Sequence, residues 1–331
     1  MKAFVLSKDG ALPTVVDTTS PLPKHGEAKV RLHAAAWNRR DHWIIKGQYP
    51  NVTLPVTLGS DGCGFVEECD STPELIGQEV IICPSLNWGE NPTVQSKQFE
   101  ILGMPTNGTF AQEIAISIEN LFAKPPHLSA EEAAAIPLAG LTAWRAISTR
   151  ARVQRDDRVL ITGIGGGTAV FALQFAKLMG AKIHVTSSSE RKIEQAMALG
   201  ADGGTLYTQA DWSKQLKRTH PQGFDVIIDS AGGDGFGDLV KLLGMGGRLV
   251  FFGGTRGKWP SIRPQYLFFK QVSLLASTMG SPTEFQDMCS FITEHKLKPV
   301  VDSTFPLQEA QRAITRLLHP ERFGKVVLQT D

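Results

Sequence analysis

A chain of 331 residues exceeds what one ordinary hydrophobic core fills, so two domains are expected. Its 34 Lys and Arg nearly balance 33 Asp and Glu, for a net charge of +1, which removes the electrostatic case for nucleic acid or a membrane surface as partner. No stretch approaches the uninterrupted apolar length of a membrane span, and the opening MKAFVLSKDG reads as an edge strand rather than a signal peptide, so a cytoplasmic protein is expected.

From Met1 to about Lys124, short strands (AKVRLHAAA, GCGFVEEC, QEVIICPS, FAQEIAIS) alternate with Gly and Pro turns, and helical periodicity is scarce. That pattern describes a small β-rich domain. Within it, the polar excursion from Asn87 to Met104 is too long for a hairpin and is read as a lobe or lid. Cys63, Cys69, Cys83 and Cys289 are scattered, with no CxxC pair, which is the usage of a reducing compartment. His25, His33, His42 and His127 form neither HxxxH nor HExxH, and no metal site is expected. Trp37, Trp43, Trp88 and Phe252 are read either as walls of an apolar pocket or as plain core.

Ser129 starts a helix as its cap, with Glu131 and Glu132 in the first turn, and Pro137 should end or kink it. A second helical segment, LTAWRAISTR, leads to the stretch around which the chain is organised. Val159 to Ala176 reads VLITGIGGGTAVFALQFA: a β-branched apolar run, then Gly163, Gly165, Gly166 and Gly167, then apolar residues at helical spacing. Glycines allow a tight turn and close approach of a ligand, while the first amides of the following helix point outward unpaired. A pyrophosphate suits that place. Ala181 to Ser187, Phe224 to Ser230 and Gly247 to Gly253 supply three further strands with helical stretches between them. Four such units make an α/β doubly wound parallel sheet, the Rossmann arrangement, with Ser230, Gly253 and Gly254 on its carboxyl edge where ligands sit. The same residues also suit simple turns.

After that sheet come a helix from Thr283 to His295, a helix from Leu307 to Leu318 and a closing strand KVVLQ. These either extend the parallel sheet or return to the first domain. The expected division is 1–124 with 266–331, and 125–265.

The second strand of a fold that takes NAD usually ends in Asp or Glu, which grips the ribose 2′-hydroxyl. Here it ends Thr186-Ser187-Ser188-Ser189-Glu190-Arg191-Lys192. The hydroxyls of Ser187 and Ser188 tolerate a 2′-phosphate, and Arg191 and Lys192 add positive charge, so NADP(H) is the expected cofactor. Glu190 argues the other way unless it serves as the first-turn acid of its helix.

The order of motifs resembles the medium-chain dehydrogenase/reductase superfamily, in a zinc-independent form close to the quinone oxidoreductase and enoyl-reductase branch. The resemblance runs through AAWNRRDHWIIKGQYP, LPVTLGSDGCGFVEE, GTFAQE, AAAIPLAGLTAWRAI, the glycine loop, VIIDSAGG, GGRLVFFGG and GKVVL. It implies that the β-rich domain is GroES-like and catalytic. It also implies departures from the zinc enzymes: Asn38 stands at a ligand cysteine's place, and Gly59-Ser60-Asp61 lacks the ligand histidine. By resemblance, Asn38, Asp41 and Tyr49 are the catalytic candidates, with Asn38 orienting a carbonyl or nicotinamide, Tyr49 donating a proton and Asp41 anchoring. The plainer alternative is that Asn38 caps a helix starting at Arg39, Asp41 supports its first turn and Tyr49 packs in a loop. The resemblance also assigns Thr142, Lys192, Tyr207 and Lys325 as cofactor contacts. It implies a small quinone or enone substrate and a homodimer joined through the edge strand Gln271–Ala276. A non-catalytic NADP(H)-binding protein and a zinc alcohol dehydrogenase are the rival readings.

Overall fold

The computed structural model of the chain describes residues 1–331. Its first elements are β1 (Lys2–Leu6), β2 (Thr14–Asp17), β3 (Glu27–Ala36), helix α1 (Arg39–Ile45), β4 (Val56–Thr57), β5 (Asp61–Glu68), β6 (Glu79–Ile82), β7 (Ser85–Leu86), β8 (Glu100–Ile101), β9 (Glu113–Ser117) and β10 (Leu121–Ala123). The opening strand is not an edge: β2 and β4 pair antiparallel with β1 on its two sides, and Ala3, Phe4 and Leu6 are buried. The excursion from Asn87 to Met104 is tied at its base, where β7 and β8 pair antiparallel and Trp88 meets Phe99 edge to face.

Helix α2 (Ala130–Ala134) begins with a reciprocal cap, Ser129 Oγ accepting from Glu132 N and Glu132 Oε2 from Ser129 N. Pro137 breaks it and opens α3 (Pro137–Trp144), where a missing N–H costs nothing. The chain then forms β11 (Arg158–Ile161), α4 (Gly167–Leu178), β12 (Lys182–Ser187), α5 (Glu190–Ala198), β13 (Gly203–Leu206), α6 (Trp212–Thr219), β14 (Phe224–Asp229), α7 (Phe236–Leu242), β15 (Leu243–Phe251), α8 (Gln265–Phe268) and β16 (Ser273–Ala276). These six strands form one sheet in the order β13-β12-β11-β14-β15-β16, every neighbouring pair parallel. This is the expected doubly wound fold. Its inner strands are near-continuous apolar runs because helices cover both faces.

The last elements are α9 (Pro282–Glu294), β17 (Val301–Pro306), α10 (Ala310–Leu318) and β18 (Lys325–Gln329). A single 3-10 turn, Leu307–Glu309, precedes α10 where the sequence suggested one continuous helix. The tail divides its loyalty. Strand β16 extends the parallel sheet, whereas β17 and β18 enter the other unit's sheet, ordered β10-β6-β5-β3-β18-β17 with β9 also on β3. The two units are accordingly Met1–Leu141 with Gly280–Asp331, and Thr142–Met279. Boundaries expected after 124 and 265 fall earlier than these, because α8 and β16 belong with the parallel sheet.

Candidate functional site

In the first unit, a polar cluster is buried where β3, β5, β18 and the start of α1 converge. Asn38 ends the segment leaving β3, and its backbone N–H donates to Asp41 Oδ2 at 2.8 Å, which closes the first turn of α1. The cap is thus made by Asp41, and the Asn38 side chain is spent elsewhere: Nδ2 donates to Asp61 Oδ2 at 2.9 Å, and Oδ1 accepts from Lys325 Nζ at 2.7 Å. Asp61 opens β5 and is fully buried; its Oδ2 also accepts from Lys325 at 2.7 Å and its Oδ1 from Leu138 N at 2.7 Å. Lys325, only 3% exposed, spends its third proton on Trp37 O at 2.8 Å.

Around this cluster lie Asp41 Oδ1, buried without a hydrogen-bond partner, and the Arg40 guanidinium. Burial holds the Asp41 carboxyl up at about 6, against the opposing charge of Arg40 and the Asn38 amide bond. Arg40 Nη1 donates to Ser60 Oγ and Leu102 O, both at 2.8 Å, and its guanidinium lies 5.0 Å from the Tyr49 ring centroid. Ser60 Oγ itself donates to Leu102 O at 2.7 Å. Tyr49 is half-buried against the apolar cluster of Phe4, Trp37, Ile44 and Phe110. Trp37 and Trp88 are core, 1% and 3% exposed.

Asn38, Asp41 and Tyr49 therefore share a neighbourhood, and Lys325, expected among the cofactor contacts, joins them. With all three protons placed on protein acceptors, its ammonium has none left for a phosphate. Asp61 and Arg40 were missed by sequence reasoning. In the sequence Asp61 stands out only beside the missing ligand histidine, and its signal is a carboxylate that opens a strand whose next residues, Gly62, Cys63 and Gly64, are small and buried.

Zinc requires three or four soft or borderline donors. This cluster offers an amide, a hydroxyl committed to a backbone carbonyl, a carboxylate already paired with an ammonium and one open carboxylate oxygen on Asp41, all of them hard donors, and no group of three or more His, Cys, Asp or Glu side chains converges anywhere in the chain. The four cysteines are buried free thiols, and burial pushes Cys63 and Cys83 up to about 12.

In the second unit, the glycine turn links β11 to α4. Gly163 has φ +61° and Gly165 φ +118°, values open chiefly to glycine, and Gly166 caps the helix. The amides of Gly163 and Ile164 are tied to Thr186 of β12, by the hydroxyl at 3.3 Å and the carbonyl at 2.8 Å. Those of Gly167, Thr168 and Ala169, in the first turn of α4, have no intrahelical acceptor. A β-carbon built on Gly165 would stand 3.1 Å from Lys192 Nζ, so that ammonium lies against the turn. These features fit a diphosphate.

Around it, Ser187 is buried at the end of β12, its Oγ accepting from Ser189 N at 3.2 Å and its carbonyl from Tyr207 N at 3.0 Å; Ser188 is exposed. Asp229 joins the ends of β11 and β14, accepting from Thr162 Oγ1 at 2.6 Å and Gly232 N at 2.8 Å. A β-carbon on Gly253 would stand 2.5 Å from Ser230 O, whereas one on Gly254 would meet nothing within 4 Å. The Thr142 hydroxyl is 3.8 Å from Met279 Sδ.

A parallel six-stranded sheet with a glycine turn between its central strand and the following helix, carried in one chain with a β-rich unit holding a buried polar cluster, is the arrangement found in nicotinamide-dependent oxidoreductases. Comparison with known proteins agrees. Residues 24–126 match the alcohol dehydrogenase GroES-like domain family, and residues 167–294 the zinc-binding dehydrogenase family. The chain is 34% identical to the zinc-type alcohol dehydrogenase-like protein YogA of Leptosphaeria maculans, over 94% of this chain and 92% of that one. It is 27% identical to the acryloyl-coenzyme A reductase of Metallosphaera sedula, over all of both, and 27% identical to the quinone oxidoreductase of Mus musculus, over 99% and 96%. Among solved structures, one described as an NAD-dependent alcohol dehydrogenase is 37% identical and superposes with a TM-score of 0.92 over the full length of both. The chain belongs to the medium-chain dehydrogenase/reductase superfamily, in its quinone-oxidoreductase-like branch.

Proposed function

We propose that the chain transfers hydride from NADPH to a quinone or an α,β-unsaturated carbonyl, without zinc. The observation that carries this reading is the Lys325 ammonium, 2.7 Å from both Asp61 Oδ2 and the Oδ1 of Asn38, the residue that by resemblance stands at a ligand cysteine's place in the zinc enzymes. A fixed internal cation already neutralises the Asp61 carboxylate and repels a second cation at short range.

The bound dinucleotide supplies the hydride. An acceptor that spreads its developing negative charge over a conjugated carbonyl needs only moderate hydrogen bonding, which suits a centre lacking a Lewis acid. On this reading Asn38 orients the nicotinamide, whose carboxamide N–H can donate to the lone pair of Oδ1 that Lys325 leaves open, Tyr49 donates the proton, and Asp41 holds Asn38 in place. In the second unit, Ser187 and Ser188 stand where NAD-binding folds carry a carboxylate, and Glu190 begins α5 as a first-turn acid, which supports NADPH. The quinone oxidoreductase and acryloyl-coenzyme A reductase relatives act, by their names, on acceptors of this kind.

The test is nicotinamide absorbance with a panel of quinones, enals and simple ketones. Oxidation of NADPH by the conjugated acceptors and not by ketones is the expected result. NADPH bound yet oxidised by no acceptor would favour a non-catalytic role. The names of the fungal relative and the solved structure favour an alcohol dehydrogenase instead; that reading requires ketone reduction and a bound metal.

We also propose a homodimer formed through β16. This strand ends the parallel sheet, pairing only with β15, and beside it Phe268 and Phe269 are 57% and 71% exposed. An open apolar edge calls for cover, and a second copy offers the matching strand. Light scattering should report twice the chain mass.

A further inference from the structure

The stretch after β15 does not stay above its own strand. Arg256 N donates to Ala231 O, beyond the end of β14, at 2.9 Å, and Gly233 N donates to Gly257 O at 3.2 Å. The side chain then reaches further back: its guanidinium carbon lies 5.4 Å from the ring centroid of Tyr207, the residue after β13. In the sheet order β13-β12-β11-β14-β15, that contact joins the first strand to the fifth, a distance of about 19 Å at roughly 4.8 Å per neighbour. An arginine anchored beyond β14 and a tyrosine that follows β13 therefore reach towards each other on the side of the sheet where β11 and β12 end, in the glycine turn and Ser187.

Its placement is built from several elements. Gly233 has φ +70°, and a β-carbon there would stand 2.7 Å from the Arg256 β-carbon, so the arginine stem occupies the space a side chain would fill. Tyr207 is itself fixed to the second strand, its N–H donating to Ser187 O at 3.0 Å. The guanidinium rests on that aromatic face and pairs with no carboxylate. An exposed arginine on a flat ring keeps its donor edges free for a planar, doubly charged acceptor.

We infer that Arg256 is a specificity-determining cofactor contact, its guanidinium gripping the phosphomonoester on the adenosine ribose, with Tyr207 as the platform that aims it. Dinucleotide folds that take the phosphorylated cofactor place an arginine near the end of the second strand; here it arrives from the far side of the sheet, along the stretch that follows the fifth strand. The assignment rests on the NADPH reading above and names the group that enforces it.

The experiment titrates wild type, Arg256→Gln and Arg256→Lys with NADPH and NADH, and with 2′-AMP and 5′-AMP as fragments, following intrinsic fluorescence. Arg256→Gln should weaken NADPH and 2′-AMP about 10- to 100-fold and leave NADH and 5′-AMP within about 2-fold, the effect expected of removing one charge-assisted hydrogen-bonding group. Arg256→Lys should fall between, since it keeps the charge and loses the fork. Wild type preferring NADPH with that preference intact in Arg256→Gln would overturn this assignment alone. Equal weakening of NADPH and NADH would move Arg256 to the diphosphate and also overturn it. Wild type without any preference would overturn the NADPH reading itself.

Discussion

Lys325 on β18 and Asp61 on β5 form an ion pair of 2.7 Å in which the two side chains are 4% and 0% exposed, and Asn38 donates to the same carboxylate oxygen that takes the lysine proton. A buried pair of this kind adds little net stability over apolar packing, but either partner left alone is costly. Lys325→Met should destabilise the protein by about 3–5 kcal/mol, and Asp61→Asn together with Lys325→Met should lose less than Lys325→Met alone. Equilibrium urea unfolding of wild type, Lys325→Met and the double variant checks this, and a double variant that loses as much as Lys325→Met or more would contradict it.

Asp41 gives the account a pH signature. Its carboxyl is held up at about 6 by burial, above the unfolded value near 3.9, so the folded state retains a proton that the unfolded state gives up. Its contribution is fully present below about pH 4 and is lost as pH rises through about 6, with an upper bound of about 3 kcal/mol. Asp41→Asn keeps the acceptor for Asn38 N–H and cannot ionise. Relative to wild type it should gain stability between pH 4 and 7, read from denaturation midpoints along that range.

His184 should act in the opposite sense. Burial first, and then the neighbouring His220, lower its pKa to about 4; the two rings stand 4.9 Å apart edge to face, and His184 Nε2 is 2.9 Å from Thr205 Oγ1. A depressed imidazole contributes stability that is present above its unfolded value near 6.5 and lost as pH falls through about 4. His184→Gln should therefore flatten the acid limb of the stability profile, as thermal melts between pH 7 and 4 would record.

Ser187 should control cofactor choice from the second strand. Ser187→Asp puts a carboxylate where the 2′-phosphate is proposed to lie, and should weaken NADPH about 10- to 100-fold while NADH is held or improved. Calorimetric titration with both dinucleotides measures the switch.

Much of this architecture was legible because its signals are local. The run from Val159 to Ala176 contains strand, turn and helix in adjacent residues, and Ser129 and Pro137 mark helix boundaries by chemistry that acts within one turn. What could not be read depends on distant partners. Lys325 and Asp61 lie 264 positions apart, and no pattern in either neighbourhood announces the pair. Asn38 shows the same limit: its place before α1 was clear, yet the cap falls to Asp41 because Lys325 and Asp61 claim the Asn38 amide. Strand β16 was set on the wrong side of a domain boundary because four residues of apolar strand look alike in either sheet.

The central claim, hydride transfer without a metal, meets its most direct test in the activity of protein dialysed against a strong chelator, with residual zinc counted by mass spectrometry. The account predicts undiminished oxidation of NADPH by a conjugated acceptor at far less than one zinc per chain. Activity that vanishes with the zinc and returns when it is restored would contradict it.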